Sequence, residues 1–143
     1  MALALAACGA GSGEGLDQNG QPLSGSGGGN LAPPIAGLAP TLDSIQANVF
    51  SVTCAVPGCH GGTGAQQGLR LDPGFSAGNL INVASSQDAT LVRVLPGNPG
   101  GSLIIQKLEG TQTVGFRMPA GGPYLPQSTI DVIREWIQDG APQ

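Results

Sequence analysis

Two cysteines and a histidine lie within seven residues, Cys54 to His60, on a segment that also contains Pro57-Gly58. Two thiols followed directly by an imidazole are the attachment pattern of c-type haem, in which the sulfurs become thioethers and the imidazole binds the iron. The usual pattern has two residues between the cysteines, and this one has four. Because Pro-Gly is a strong turn dipeptide, we expect a turn at this point to loop out the two extra residues.

The same residues admit three other interpretations. A disulfide between Cys54 and Cys59 would suit an oxidising compartment. A zinc site would use the same donor atoms, but Cys8 is distant along the chain and His60 is the only histidine, so a carboxylate would have to complete the tetrahedron. Two free, buried cysteines are the third alternative. The motif by itself therefore leaves haem, disulfide, zinc and free thiols open.

A second candidate ligand, Met118, lies in the Gly- and Pro-rich stretch 115–123, and the only other methionine is Met1. Helix-face packing does not explain a methionine in such a loop. The position suits a thioether bound to iron opposite His60, with Pro119 fixing the backbone. Ordinary core packing is the alternative. Candidates for the groups that would bind haem propionates are Arg70, Arg93 and Arg117.

The large apolar side chains are concentrated in the second part of the chain. Its 143 residues, which include 25 glycines and 12 prolines, suffice for one domain with tails. All three phenylalanines, the tyrosine and the tryptophan follow residue 41. So few aromatic residues favour an apolar macrocycle that completes the core. The net charge of −4 is scattered, which disfavours nucleic-acid binding.

The first eight residues are similar to the remnant of a bacterial lipoprotein signal. Leu5-Ala6-Ala7-Cys8 resembles a lipobox, in which cleavage before Cys8 leaves that thiol to carry diacylglycerol; a chance Ala/Leu-rich start with a stray cysteine is the alternative. Residues 9–40 are rich in Gly, Ser and Pro and predict a disordered tether with a reach of roughly 30 Å. No run approaches the roughly 20 apolar residues of a membrane span. We therefore expect a periplasmic or cell-surface protein, attached to the outer membrane by its lipid alone.

Three helices are predicted to position the motifs. Thr41 is expected to cap the first, which delivers the cysteines; its apolar face consists of Leu42, Ile45 and Val49. Asn98 is expected to cap the second, with Pro99 at its first position, giving residues 102–108. On this helix we expect an inward face of Leu103, Ile104 and Leu108 and an outward face of Lys107 and Glu109.

The third helix is predicted over residues 127–139, and Gly140 is its stop signal. One of its faces is formed by Ile130, Ile133, Trp136 and Ile137. A short helical or irregular piece is expected around residues 77–83. The pattern predicts an all-α domain of three to four short helices with long loops.

Residues 41–141 resemble small class I-like cytochrome c domains, in particular the planctomycete-type cytochrome c family. The matching pieces, in chain order, are Val49-Phe50, Cys54 to His60, Gly68 to Asp72, Pro96 to Pro99 with Ser102-Leu103, Arg117 to Pro119, and Trp136-Ile137 before Gly140-Ala141. The resemblance implies one covalent haem c attached at Cys54 and Cys59, with His60 and Met118 as axial ligands. It also implies that the N- and C-terminal helices cross beside the haem.

Motif and resemblance together predict a cytochrome c-like haem domain over residues 41–143 that passes electrons between redox partner proteins. His/Met ligation fills both axial positions, so we expect no enzymatic activity. The alternatives are a haem-free, disulfide-stabilised adhesion or scaffold module, and a haem peroxidase. A peroxidase would need a distal base, whereas the sole histidine is already used. Copper and non-haem iron enzymes are disfavoured because their usual sites require two histidines.

Overall fold

Thr41 caps the first helix, as predicted, and its side chain accepts a hydrogen bond of 3.3 Å from the Ser44 N–H. The computed structural model describes residues 31–143. Helix α1 spans Leu42–Ile45 and continues as a π-helix over Gln46–Cys54. The wider π register is seen where the Ala55 N–H donates to the Phe50 carbonyl at 2.7 Å. This continuous helical segment ends at Cys54, the first residue of the cysteine-histidine motif.

Three further α-helices follow: α2 at Ser76–Leu80, α3 at Leu103–Glu109 and α4 at Gln127–Gln138. A single 3₁₀ turn, Gln66–Gly68, precedes them. Within residues 31–143 the extended segments form isolated bridges and no continuous strand. The domain is therefore all-α, as the sequence predicts. None of the helices in this part of the chain is both long and apolar enough to cross a membrane.

The predicted start of α3 is wrong. Its N-cap is Ser102, and neither Asn98 nor Pro99 belongs to the helix. The Asn98 side-chain oxygen instead accepts a hydrogen bond of 2.9 Å from the Gly101 N–H, which closes a turn before the helix. The buried Ser102 hydroxyl donates to the Asn98 carbonyl and accepts from the Leu95 N–H, both at 2.8 Å. These bonds attach the turn to the preceding segment, and the helix begins only after Ser102, whose backbone is extended.

The predicted outward position of Lys107 is also wrong, because this side chain is buried in the domain. Lys107 follows Leu103 by four residues and therefore shares its helix face. Glu109 is half-buried and forms a two-pronged ion pair with Arg134 of α4, with N–O distances of 2.8 and 2.9 Å. Helix α3 is thus packed against α4 on one side and directs Lys107 into the interior on another.

The core joins residues from all four helices and from the loops between them. The predicted face of α4 is confirmed, since all four of its apolar residues are buried. Trp136 is completely buried, and its indole N–H donates to the Pro142 carbonyl at 2.9 Å. The other fully buried apolar side chains include Ile45, Val49, Phe50, Leu80, Val94, Ile105, Ile130, Ile133 and Ile137.

The last ten residues of the predicted tether lie against the domain. Leu31 forms a bridge with Tyr124, where the Ala32 N–H donates to the Tyr124 carbonyl at 2.7 Å. Ile35 and Leu38 pack on the core. Contacts with the domain are therefore present within the predicted tether, at least from Leu31 onward. The predicted lipobox, Cys8 included, and the tether up to residue 30 lie outside the described residues.

Candidate cofactor site

The segment from Cys54 to His60 is folded back on itself by a type II turn. The Cys59 N–H donates to the Val56 carbonyl at 3.0 Å, with Pro57 and Gly58 at the two central positions. Gly58 has a φ of +82°, the conformation that this turn requires and that glycine adopts without strain. The predicted turn is therefore confirmed. A second bond of 3.0 Å, from the His60 N–H to the Cys54 carbonyl, closes the loop.

The chain on both sides of His60 is fixed by backbone hydrogen bonds. The Leu71 N–H donates to the His60 carbonyl at 2.8 Å, and the Gln66 N–H donates to the Cys59 carbonyl at 2.7 Å. A side chain at Gly61 would collide with the Ala55 carbonyl. Only glycine permits this close approach, which brings the motif against the end of the π-helix.

The His60 ring has a defined tautomer. Nδ1 lies 3.0 Å from the Leu69 carbonyl oxygen, an acceptor only, so Nδ1 carries the proton and donates. Nε2 is then left with its lone pair, as a metal ligand requires. Burial lowers the pKa of His60, although the Leu69 and Gln66 carbonyls oppose that shift. The neutral, ligand-competent form is therefore favoured.

The two cysteines are free thiols in different surroundings. Cys54 is half-buried against the core, whereas Cys59 is exposed. Burial, and secondarily the neighbouring Cys59, raises the pKa of Cys54 to about 12. Within the described residues, no three His, Cys, Asp or Glu side chains converge on one metal position. This arrangement gives no support to the closed zinc site considered from the sequence.

Met118 is held from its backbone. Its N–H donates to the Lys107 carbonyl near the C-terminal end of α3, at 2.8 Å. The preceding residue, Arg117, donates through Nε to the Leu108 carbonyl at 3.1 Å and lies over the Tyr124 ring, 4.1 Å from its centroid. These contacts fasten the loop to α3, and the Met118 side chain is partly buried against the core. Met118 thus lies in a loop that is positioned by its hydrogen bonds to the C-terminal end of α3.

The Cys54–His60 segment and the Met118 loop both line a cavity of about 550 Å³. Cys54, Cys59, His60 and Met118 all lie in its wall. The rest of the wall is mostly apolar and includes Val49, Phe50, Leu69, Leu71, Leu80, Leu103, Ile104 and Leu108. Cavities of this size and character bind drug-sized or larger organic ligands. The four predicted site residues, more than sixty positions apart at the extremes, therefore share one apolar cavity.

The cavity wall also contains two charged residues that are not among the four predicted site residues. Arg93 was only one of three arginine candidates for propionate contacts, and Lys107 was predicted to face solvent; both line the cavity. Arg70 and Arg117 are not part of its wall. The spacing of four between Leu103 and Lys107 is a signal that could have identified the lysine, since such residues share a helix face.

Comparison with known proteins finds no matching protein-family model, no matching curated protein and no matching solved structure.

Proposed function

We propose that this chain is a monohaem c-type cytochrome that transfers electrons outside the cytoplasm. The observation that carries the proposal is the single apolar cavity whose wall contains Cys54, Cys59, His60 and Met118. Its volume of about 550 Å³ lies within the range of cofactor-binding cavities. A haem bound there would supply one-electron chemistry at its iron. The cytochrome c-like fold belongs to the same proposal.

Both cysteines are suited to forming thioethers. Each thiol adds its S–H across a vinyl C=C bond, so that a C–S and a C–H bond form and no group leaves. Free thiols are the required starting form, and both cysteines have it. The type II turn at Pro57-Gly58 folds back the two residues that separate this spacing from the usual one.

His60 and Met118 are suited to the axial positions. The Leu69 carbonyl orients the imidazole and keeps the proton on Nδ1, leaving Nε2 for the iron. The backbone bond to Lys107 restrains Met118 on the same cavity. If His60 and Met118 both held the iron of a bound haem, no position would be left for oxygen or peroxide, which favours a carrier between redox partner proteins over an enzyme.

Covalent attachment is the first test. The full chain, produced in an exporting host that matures c-type cytochromes, should gain one haem mass and show the pyridine haemochrome spectrum of a thioether-linked haem. After denaturation, acid-acetone should leave the colour with the polypeptide. A Cys54→Ser variant should retain at most one thioether and shift the haemochrome band. Haem that extracts completely, or a protein without haem from such a host, would refute the proposal.

The location of the protein depends on Cys8, which we propose is lipidated at the outer membrane. The Cys8→Ala variant should leave the membrane fraction, because the lipid is the only membrane attachment in this proposal. Cys59→Ala is the matched control, since it also removes a thiol and should leave the protein in the membrane fraction. Unchanged fractionation of Cys8→Ala would contradict the anchor.

A further inference from the structure

Two buried cations, Arg93 and Lys107, lie in the cavity wall at 8% and 9% exposure. The Arg93 guanidinium donates to the backbone carbonyls of Gln67 and Asn79, both at 2.9 Å. The Lys107 ammonium donates to the Gln87 side-chain carbonyl at 2.8 Å. All of these acceptors are neutral, so hydrogen bonding places both charges without neutralising them.

Neither cation has a carboxylate partner among residues 31–143. The two ion pairs in this part of the chain join Arg70 to Asp72 and Arg134 to Glu109. No Asp or Glu of the described residues lies in the cavity wall, whose titratable or charged side chains from this part of the chain are Cys54, Cys59, His60, Arg93 and Lys107. A buried charge without a counter-charge is strongly destabilising, because the hydration that it loses is not replaced. Two such charges in one wall indicate that the cavity ligand supplies negative charge.

The hydrogen-bonding capacity of the lysine agrees with that requirement. An ammonium has three donors, and Gln87 accepts from one of them. Burial lowers the pKa of Arg93, as expected where no anion compensates the lost hydration. A carboxylate in the cavity would restore the lost charge stabilisation.

We infer that Arg93 and Lys107 form a carboxylate-binding subsite that receives the two propionates of the cavity ligand. This inference rests on the proposed function and adds to it the orientation of the macrocycle, whose propionate edge would face these two residues. Held between cations, the propionates would remain ionised at neutral pH. Reduction of the iron would then take up no proton there, and the potential would not depend on pH in that range.

The pH dependence of the reduction potential tests the subsite in the haem-loaded full chain. Parent protein, Lys107→Gln and Lys107→Arg are titrated electrochemically from about pH 5 to about pH 9, a range that spans shifted carboxyl groups. The parent and Lys107→Arg should show flat profiles. In Lys107→Gln the propionate pKa rises, so the potential should fall as the pH increases through the new pKa. Arg134→Gln, which removes an equal charge outside the cavity wall, should match the parent.

The outcomes separate this inference from the proposed function. Absence of covalent haem overturns both, whereas covalent haem with identical profiles in Lys107→Gln and Arg134→Gln overturns only the subsite. If Lys107→Gln does not accumulate, the propionate bending bands in the resonance Raman spectrum of the parent decide. Bands that titrate at the ordinary carboxyl pKa or above it contradict the subsite, and bands that stay constant down to lower pH support it.

Discussion

At the scale of single residues, the two proposed axial ligands, His60 and Met118, are each held by a backbone carbonyl, but at different parts of the residue. The Leu69 carbonyl accepts from the His60 ring and so fixes the orientation of the ligand atom itself. The Lys107 carbonyl accepts from the Met118 backbone and fixes only the start of a flexible side chain. We therefore expect the Met118 sulfur, and not the His60 ring, to be the ligand that is lost first when the site is perturbed.

If the iron is bound as proposed, replacement of Met118 should leave one of its coordination positions without a protein ligand. In the Met118→Ala variant, we expect loss of the weak near-infrared sulfur-to-iron band, a lower potential, and new binding of small ligands or weak peroxidase activity. Ile104→Ala is a suitable control, because it also shortens a side chain in the cavity wall but removes no ligand atom. An unchanged near-infrared band in Met118→Ala, or robust peroxide turnover by the parent, would contradict the assignment.

At the scale of elements, the glycine-rich loop after His60 is attached to the following segment by Asp72. Its carboxylate accepts from the Gly62 N–H at 2.8 Å and from Arg70 Nε at 2.6 Å. Hydrogen bonding with Arg70, followed by the Gly62 N–H, lowers the pKa of this carboxyl. The contact therefore links the loop that leaves the histidine to the segment that leads to α2.

This contact should contribute to acid sensitivity. Because the folded-state pKa is lowered, its stabilisation is present above the ordinary pKa of 3.8 and is lost as the pH falls through the folded-state value. We expect the melting temperature of the parent to fall further between pH 6 and pH 3 than that of Asp72→Asn, which cannot titrate. Asp131→Asn, at an exposed position on α4, serves as the control and should follow the parent. Equal losses in parent and Asp72→Asn would contradict this role.

Elements that arise from a periodic pattern of apolar residues could be predicted from the sequence. Elements whose limits depend on tertiary contacts could not. Helix α4 was predicted closely because Ile130, Ile133 and Ile137 repeat at helical spacing. The π-helix was not predicted, since the spacing of Ile45 and Val49 is compatible with an ordinary α-helix, and the wider register depends on backbone bonding. The start of α3 was not predicted correctly, because the turn before it is held by the buried Ser102 hydroxyl. A local sequence pattern does not show that this hydroxyl is buried.

The same distinction holds for the site. Cys54, Cys59 and His60 were predicted as haem-binding residues from residue type and spacing, and Met118 from its position in a Gly- and Pro-rich loop. The structure places all four in the wall of one cavity, and haem binding by them stays a prediction. Lys107 was placed on the wrong side because a lysine on an amphipathic helix is ordinarily solvated. Its burial is understandable only with respect to a cavity, which a sequence does not display.

At the scale of the whole molecule, the wall of the cavity is a large apolar surface that no other side chain of the described residues covers. Each Å² of apolar surface that stays in contact with water forgoes about 25 cal/mol of stabilisation. The entire stability of a small domain is only about 5–15 kcal/mol. If a ligand covers this wall as proposed, the folded state should therefore depend on that ligand.

Loss of covalent attachment should consequently unfold the domain. The double variant Cys54→Ala, Cys59→Ala, produced without haem, is expected to be largely unfolded or molten by circular dichroism and calorimetry. Cys8→Ala, which keeps both cysteines of the motif, should melt cooperatively like the parent. A cooperative, native-like transition in the double variant would favour the haem-free scaffold interpretation.

The burial of Trp136 has an optical consequence for all such measurements. It is the only tryptophan in the chain, so near-ultraviolet emission excited at the red edge of indole absorption comes from one ring at the centre of the core. In the folded domain without haem that ring is shielded from water, which gives a short-wavelength emission maximum, whereas a haem bound in the same small domain would quench the emission by energy transfer. Exposure of this one ring on unfolding would move the maximum to longer wavelength, so the spectrum follows the centre of the fold without an introduced label.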